Sequence, residues 1–236
     1  MNLIRKLGEI VGGRGLQITF NDRASAASIL CTMLKGEIKA KKDRQQQILI
    51  LGIPRGGIVV ADIVAQKLNA NFDVVISRKL RAPDNKENSI GAIMADGSAY
   101  LDALSLRWLK VSAEYLEKES EEQLREIAHR TALYRPDKRP YNIRDRTVIL
   151  VDDGVASGAT LIPPARWIKK QQPKQLIIAA PVAQEQAVQL LRNEADQLKF
   201  IITPSKFIAI SQFYRNFEPV TDEQVIDILK KWNYNQ

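Results

Sequence analysis

The run Val148-Ile-Leu-Val-Asp-Asp-Gly-Val-Ala-Ser-Gly-Ala-Thr160 limits the fold more than any other stretch of the chain. Its four leading apolar residues, Val148 to Val151, suit a strand covered on both faces, as in a parallel sheet between helices. Asp152 and Asp153 come where that strand would emerge, and the small-residue loop Gly154 to Thr160 leads into a helical pattern. In open α/β sheets, ligands bind at the carboxyl ends of strands. A loop that opens a helix presents unpaired N–H groups and the positive end of a dipole, which suits a phosphate. Paired carboxylates are wrong for phosphate but right for vicinal hydroxyls or Mg²⁺. Acids and a phosphate cradle this close together point to a ligand with both a sugar diol and a phosphate. Such a ligand would be a ribose phosphate.

The rest of the chain repeats the strand-then-helix pattern. A helix begins near Asp22 as N-cap, with Ala26, Ile29, Leu30 and Met33 on one face, and Gly36 is expected to end it. Ile48 to Ile53 reads as a buried strand, ended by Pro54-Arg55-Gly56-Gly57 and followed by a helix from Ile58 to Leu68. Arg55, between a proline and two glycines, is placed to hold an anion beside exposed backbone N–H groups. Phe72 to Ser77 reads as a second strand, running into the cations Arg78, Lys79 and Arg81. After the opening stretch come a helix with Pro163-Pro164 in its first turn, a strand over 175–182, a helix over 185–193 and a strand over 198–202. This alternation predicts an α/β fold with a doubly wound parallel sheet and right-handed crossovers.

Residues 80–146 break the alternation. A polar loop at 82–88 precedes a hairpin about Asp96-Gly97, and Ser112 then caps a long charged helix that Arg135-Pro136 stops. The segment reads as an insertion that covers something within a single domain spanning 1–236. The tail over 204–236 carries Phe207, Phe213, Tyr214 and Phe217, read as packing down on the body, and Asp222 as cap of a terminal helix. Gly12, Gly13 and Gly15 around Arg14 read as a flexible connection, and 39–47 as a solvated basic loop. Residues 1–19 receive no role.

Composition removes several classes of function. With one cysteine, Cys31, the chain holds no internal disulfide, consistent with a reducing, cytoplasmic setting. With one histidine, His129, a His-based triad or a multi-histidine metal site is close to excluded. No run of 18 apolar residues occurs, so no membrane span is expected. The net charge of +8 favours anionic partners. Dispersed basic residues and only 6% aromatics argue against nucleic acid and favour phosphorylated small molecules, while the charge itself keeps a nucleic-acid-binding regulator open.

At this point the motifs can be set beside a known family. The stretch Val148 to Thr160 resembles the signature of type I phosphoribosyltransferases, and Pro54-Arg-Gly-Gly57 resembles that family's pyrophosphate loop, in the same order. Phe20-Asn-Asp-Arg23, Arg78-Lys-Leu80 with Ala82-Pro83, Ile90-Gly-Ala-Ile93 and the tail from Phe213-Tyr214 to Thr221-Asp222 are similar to a bacterial and archaeal subgroup of that family with no assigned acceptor. The resemblance implies phosphoribosyl diphosphate (PRPP) as substrate with Mg²⁺, an unidentified nucleophilic acceptor, release of diphosphate, and a homodimer. It implies that Asp152 and Asp153 bind the ribose hydroxyls, directly or through the metal. It implies that Ala156, Ser157, Gly158, Ala159 and Thr160 wrap the 5′-phosphate. Arg55, Gly56 and Gly57 would hold the diphosphate, with Arg78 and Lys79 within reach, and the loop at 82–88 would be a lid.

Two departures narrow the acceptor. Where 6-oxopurine enzymes of the family place an acid in the phosphate loop, this chain has Ala156. Where they carry a lysine after the next strand, it has Ala180-Pro-Val-Ala183. Hypoxanthine and guanine are therefore not the expected acceptors. A second reading stays open: a non-catalytic PRPP or nucleotide sensor of the same fold that controls a partner. Hydrolysis of a phosphoribosyl compound needs an activated water, and no base for it is visible.

Overall fold

Every residue of strand β1 (Ile48–Gly52) is buried, as its uninterrupted apolar run requires. In the computed structural model, which describes residues 19–37, 47–86, 88–137 and 139–233, β1 lies near the middle of a five-stranded parallel sheet. The sheet order is β2 (Asn71–Val74), β1, β6 (Thr147–Val151), β7 (Gln175–Val182) and β8 (Gln197–Ile202). Alternate residues of β6 enter different cores, because successive side chains of a strand point to opposite faces. Ile149 and Val151 pack with Leu30 and Leu34 of α1 (Arg23–Glu37), Ile58 and Val64 of α2 (Gly56–Leu68) and Leu229 of α7 (Asp222–Asn233). Val148 and Leu150 pack with Ile162, Ala165 and Ile168 of α5 (Ile162–Lys170) and Leu191 of α6 (Glu185–Leu191). The doubly wound parallel sheet is thus present.

The chain moves outward from β1 to β2, then returns past β1 to lay β6 on its other side. In open α/β sheets that reversal leaves a crevice beyond the carboxyl ends of the two strands. Here it lies between the turns that follow β1 and β6. Gly52 pairs with Val151, and the Ile53 amide donates to the Val151 carbonyl at 2.9 Å, so the two strands end level.

The chain leading into the insertion differs from expectation. The apolar run over 72–77 is two strands in two sheets, not one. Val74 is the last residue paired with β1, and the chain then turns through Val75 and Ile76. Both remain buried, each in a different core, so hydrophobicity continues across a change of direction. Arg78 and Lys79 therefore lie within β3 (Ser77–Arg81). That strand pairs antiparallel with β4 (Ser89–Met94), which pairs with β5 (Ala99–Leu101). A short helix α3 (Ala103–Trp108) and the long helix α4 (Ala113–Tyr134) follow. Ser112 caps α4, accepting from the Tyr115 amide at 3.1 Å, as its sequence position implies. Glu119 of α4 binds the amide of Arg81 and its guanidinium, at 3.0 and 2.8 Å, and so docks the helix on β3.

Both chain ends of the fold carry caps. Asp22 caps α1, accepting from the Ser25 amide at 2.7 Å. The cap of α7 is Thr221 rather than Asp222: Thr221 and Gln224 bond reciprocally at 3.2 and 2.9 Å, a capping box that leaves Asp222 free to face other elements. The aromatic tail packs down. Phe213 is 2% exposed and stacks with Phe207; Phe20 and Phe217 stack on Tyr214, and the Phe20 backbone bonds to Phe213 and Arg215. Cys31 is buried. The glycine-rich stretch before residue 19 and most of the basic connection at 39–47 lie outside the described residues, as does Glu87 of the loop at 82–88. Among the described residues, no helix is long and apolar enough to cross a membrane.

Candidate active site

The turns after β1 and β6 touch. A Cβ on Gly57 would stand 2.8 Å from Asp152 Oδ1 and 2.9 Å from Asp152 Cα. One on Gly56 would stand 1.9 Å from Asp153 Oδ2. The two glycines are thus the condition for seating one turn against the acids of the other, a role beyond the exposure of N–H groups. The Pro54–Arg55 peptide bond is cis, and Arg55 occupies the cap position of α2.

The two acids have different surroundings. Asp152 Oδ1 accepts from the Asp153 amide at 2.8 Å. Burial, then the adjacent Asp153 carboxylate, pushes the Asp152 carboxyl well above the usual carboxylate range, and Arg23 opposes the shift. Asp153 instead meets Arg23 of α1, whose Nε lies 2.7 Å from Oδ2, each side chain being 11% exposed. Losing one partner of such a pair leaves a charge buried, which costs about 3–5 kcal/mol. The Tyr214 hydroxyl donates to the Asp153 carbonyl at 2.6 Å, so the tail supports the acid pair from behind.

The loop after the acids opens toward α5 through a short 3₁₀ turn, Ala159–Leu161. Val155 is tied to β7 by the Val155 amide on the Val182 carbonyl and the Gln184 amide on the Val155 carbonyl, both at 2.8 Å. Ser157 Oγ accepts from the Ala159 amide at 3.4 Å. The amides of Ala156, Ser157 and Gly158 donate to no acceptor among the described residues. Successive unengaged N–H groups of this kind form a concavity suited to an anion.

Beside this loop lies a cavity of about 340 Å³. Asp152, Thr160 and Pro54 line it together with five cationic side chains: Arg78, Lys79 and Arg81 of β3, Lys86 of the loop at 82–88, and Arg130 of α4. The Ser77 hydroxyl donates to the Thr160 carbonyl at 2.5 Å and ties β3 to the loop after the acids. Arg130 Nε bonds Glu126 at 2.8 Å, and Arg78 Nε bonds Gln123 at 3.0 Å. Burial lowers the Arg78 guanidinium from its ordinary value, and the neighbouring Arg130, Arg81 and Arg55 add to the effect against Glu126. Such crowding of like charge in a partly buried space is relieved by an anion.

Of the residues singled out by sequence, Asp152, Thr160, Arg78 and Lys79 line the cavity. Gly56 and Gly57 lie beneath the acids, and Ala156 and Ser157 are exposed on the neighbouring loop. Arg55 and Asp153 do not line it. Arg55 Nη1 is 3.8 Å from Asp222 Oδ2, and the Tyr134 hydroxyl donates to the same carboxylate. Arg81 and Lys86 carry only a general signal in the sequence, as a strand-end cation and as part of the expected covering loop, whereas Arg130 and the pairing of Arg23 with Asp153 carry none. Among the described residues, no group of three or more His, Cys, Asp and Glu side chains is placed to hold a metal ion. The donors fit Mg²⁺ nonetheless, since that ion is commonly held by one or two carboxylates completed by water and substrate oxygens.

The phosphoribosyl transferase domain family profile matches residues 24–218. Two Mycobacterium tuberculosis proteins, from strains H37Rv and CDC 1551, each bearing the provisional name phosphoribosyl transferase, are 31% identical over 212 residues. The match takes in 90% of this chain and 46% of each relative, so the chain spans about half the length of these curated proteins. The crystal structure of the protein TT1426 from Thermus thermophilus superposes with a TM-score of 0.73 at 35% identity, over 91% of this chain and 99% of that one.

Proposed function

The chain belongs to the phosphoribosyl transferase domain family, and from that premise we propose that it transfers the 5-phosphoribosyl group of PRPP to a nucleophilic acceptor, releasing diphosphate. The observation that carries the reading is the cavity between the two turns: one carboxylate and a phosphate-type loop on one wall, five cations on the others. Those features match, in order, a sugar diol, a 5′-phosphate and a diphosphate.

In this reading the unengaged amides of Ala156 to Gly158, with the Ser157 and Thr160 hydroxyls and Ala159, receive the 5′-phosphate. Asp152 orients the ribose hydroxyls. Mg²⁺, held by Asp152 and oxygens of the substrate, would supply charge neutralisation at the departing group. Breaking the C1′–O bond moves the bonding pair onto the diphosphate and leaves positive character on the ribose. Arg78, Lys79 and Arg130 stabilise the departing charge from fixed positions, which is where preorganised electrostatics are most effective. Arg55, Gly56 and Gly57 follow Pro54, which lines the cavity, and seat that turn against the acids. No side chain is needed as nucleophile. The protein's remaining work is to orient the acceptor behind C1′ and to exclude water, with Lys86 carried on the covering loop.

The test is diphosphate release from PRPP and Mg²⁺ across a panel of bases, amines and aromatic acids. Release that depends on one acceptor class supports the transferase. Tight PRPP binding with no release for any acceptor assigns the site to a sensor.

A further inference from the structure

Asp222 does not line the cavity, yet it touches two elements that do. Tyr134 of α4 donates its hydroxyl to Asp222 Oδ1, and Arg55 brings Nη1 to 3.8 Å from Oδ2. Arg130, one helical turn before Tyr134, lines the cavity, and so does Pro54, the residue before Arg55. Burial lowers the Arg78 guanidinium, and the charges of Arg130, Arg81 and Arg55 add to it, so Arg55 belongs to the same crowd of cations. Its own guanidinium nevertheless stands off the cavity wall, against the carboxylate.

That carboxylate is held in place. It sits in the first turn of α7, where unpaired N–H groups favour a negative charge. Helix α7 is in turn clamped to α2: Trp232 Nε1 donates to Asp62 Oδ1 at 2.7 Å, and Val225 and Leu229 are buried. Arg55 occupies the cap position of α2, so the two partners ride on helices fixed to each other. The Arg55 and Asp222 side chains remain 42% and 36% exposed, which makes the pair weak enough to exchange.

We propose that Asp222 is the resting partner of Arg55: it holds the guanidinium at the rim of the empty cavity, yields it to a diphosphate, and takes it back when the diphosphate leaves. The inference rests on the phosphoribosyl reading and deepens it, giving Asp222 a positioning role from outside the cavity. A diphosphate offers more charge and more oxygens than one carboxylate, so it wins the fork of Arg55 when it binds. A carboxylate kept within reach then eases the return, and the product is not held by every cation of the site at once.

The experiment titrates the full chain calorimetrically with inorganic diphosphate, and with ribose 5-phosphate as control, Mg²⁺ being present. Asp222→Asn keeps an oxygen for the Tyr134 hydroxyl and removes the charge that holds Arg55. Diphosphate affinity should rise by about two- to fivefold, the value of an exposed ion pair, with ribose 5-phosphate affinity unchanged. Loss of a merely structural residue would weaken diphosphate or leave it unaltered, and either result overturns the proposal. In an Arg55→Gln background the same substitution should bring no gain, because the two act as one pair. A gain that survives without Arg55 is a general effect of charge and overturns the assignment to that residue. The structure of the unsubstituted protein with diphosphate reads the point without substitution: Arg55 on the diphosphate and away from Asp222 supports it, and Arg55 still on Asp222 overturns it. If the unsubstituted protein binds neither diphosphate nor PRPP, the phosphoribosyl reading itself fails and this inference falls with it; binding without the gain overturns the inference alone.

Discussion

Arg130 of the long helix and Asp152 at the end of the central strand line one cavity. The first comes from the segment that interrupts the α/β alternation, the second from the strand that defines it. What the insertion covers is therefore the crevice at the sheet's switch point, and it covers it with cations. The acid stands on one wall and the basic residues on the others, the division that the proposed sugar and diphosphate ends require.

Arg130→Gln should weaken PRPP and free diphosphate alike, by roughly tenfold or more, because a charged donor is lost from a partly buried site. The loss should shrink as salt is raised. Melting should change little, since the Glu126 partner is an i,i+4 pair worth about 0.3–0.5 kcal/mol. Calorimetry at two salt concentrations checks both parts, and undiminished diphosphate affinity would remove Arg130 from the site.

Gly56→Ala puts a Cβ 1.9 Å from Asp153 Oδ2 and 3.0 Å from Arg23 Nε. Neither the carboxylate nor the guanidinium has slack, so the expected cost is about 1–3 kcal/mol, the range for overpacking a well-filled interior. Denaturant unfolding measures it. PRPP binding should fall with it, because the two turns are forced apart.

Burial pushes the Tyr141 hydroxyl up to about 12 from an ordinary 10.0, against the pull of Arg135. The folded protein then keeps a proton that the unfolded chain has lost, so stability falls as pH rises from 10 toward 12. Tyr141→Phe retains the ring, which sits 3.7 Å from the Arg135 guanidinium carbon and edge-on to Trp167. It should match the parent's pH dependence below pH 10 and show a shallower decline in Tm above it. Parallel melting curves across that interval would count against the assignment.

Guanine and hypoxanthine should not accept the phosphoribosyl group at a useful rate. Ala156 offers no carboxylate to the purine ring, and Ala180 to Ala183 offers no lysine. Nucleotide formation from PRPP with each base is the measurement. Ready conversion of guanine would refute the inference from those positions.

The sheet and most helices could be read in sequence because their signals are local. Apolar runs marked β1, β6 and β7, and Ser112 marked the start of α4. The split of 72–77 between two sheets was hidden because Val75 and Ile76 stay buried while the chain changes direction. The cap of α7 was misread, although Thr221 with Gln224 three residues on is itself a legible capping box. Asp152 and the phosphate-type loop announced themselves by their place after a buried strand. Arg130 did not, since on a helix that also carries Arg125 and His129 nothing local distinguishes it. The Arg23–Asp153 pair spans 130 residues and exists only once α1 is packed against the sheet. Arg55 illustrates the reverse case: its motif was plain, but its side chain turns toward Asp222.

The level ending of β1 and β6 has a consequence for how such a site can change over time. Both turns are counted from one rung of the sheet, Gly52 opposite Val151, so the long interval between them does not enter their geometry. A residue added between Gly52 and Gly56, or between Val151 and Asp152, would pull glycines and acids out of step. Lengthening or replacing the segment from β3 to α4 would leave that rung where it is. The acid end of the pocket is thus locked by counting, while its cover can be exchanged whole.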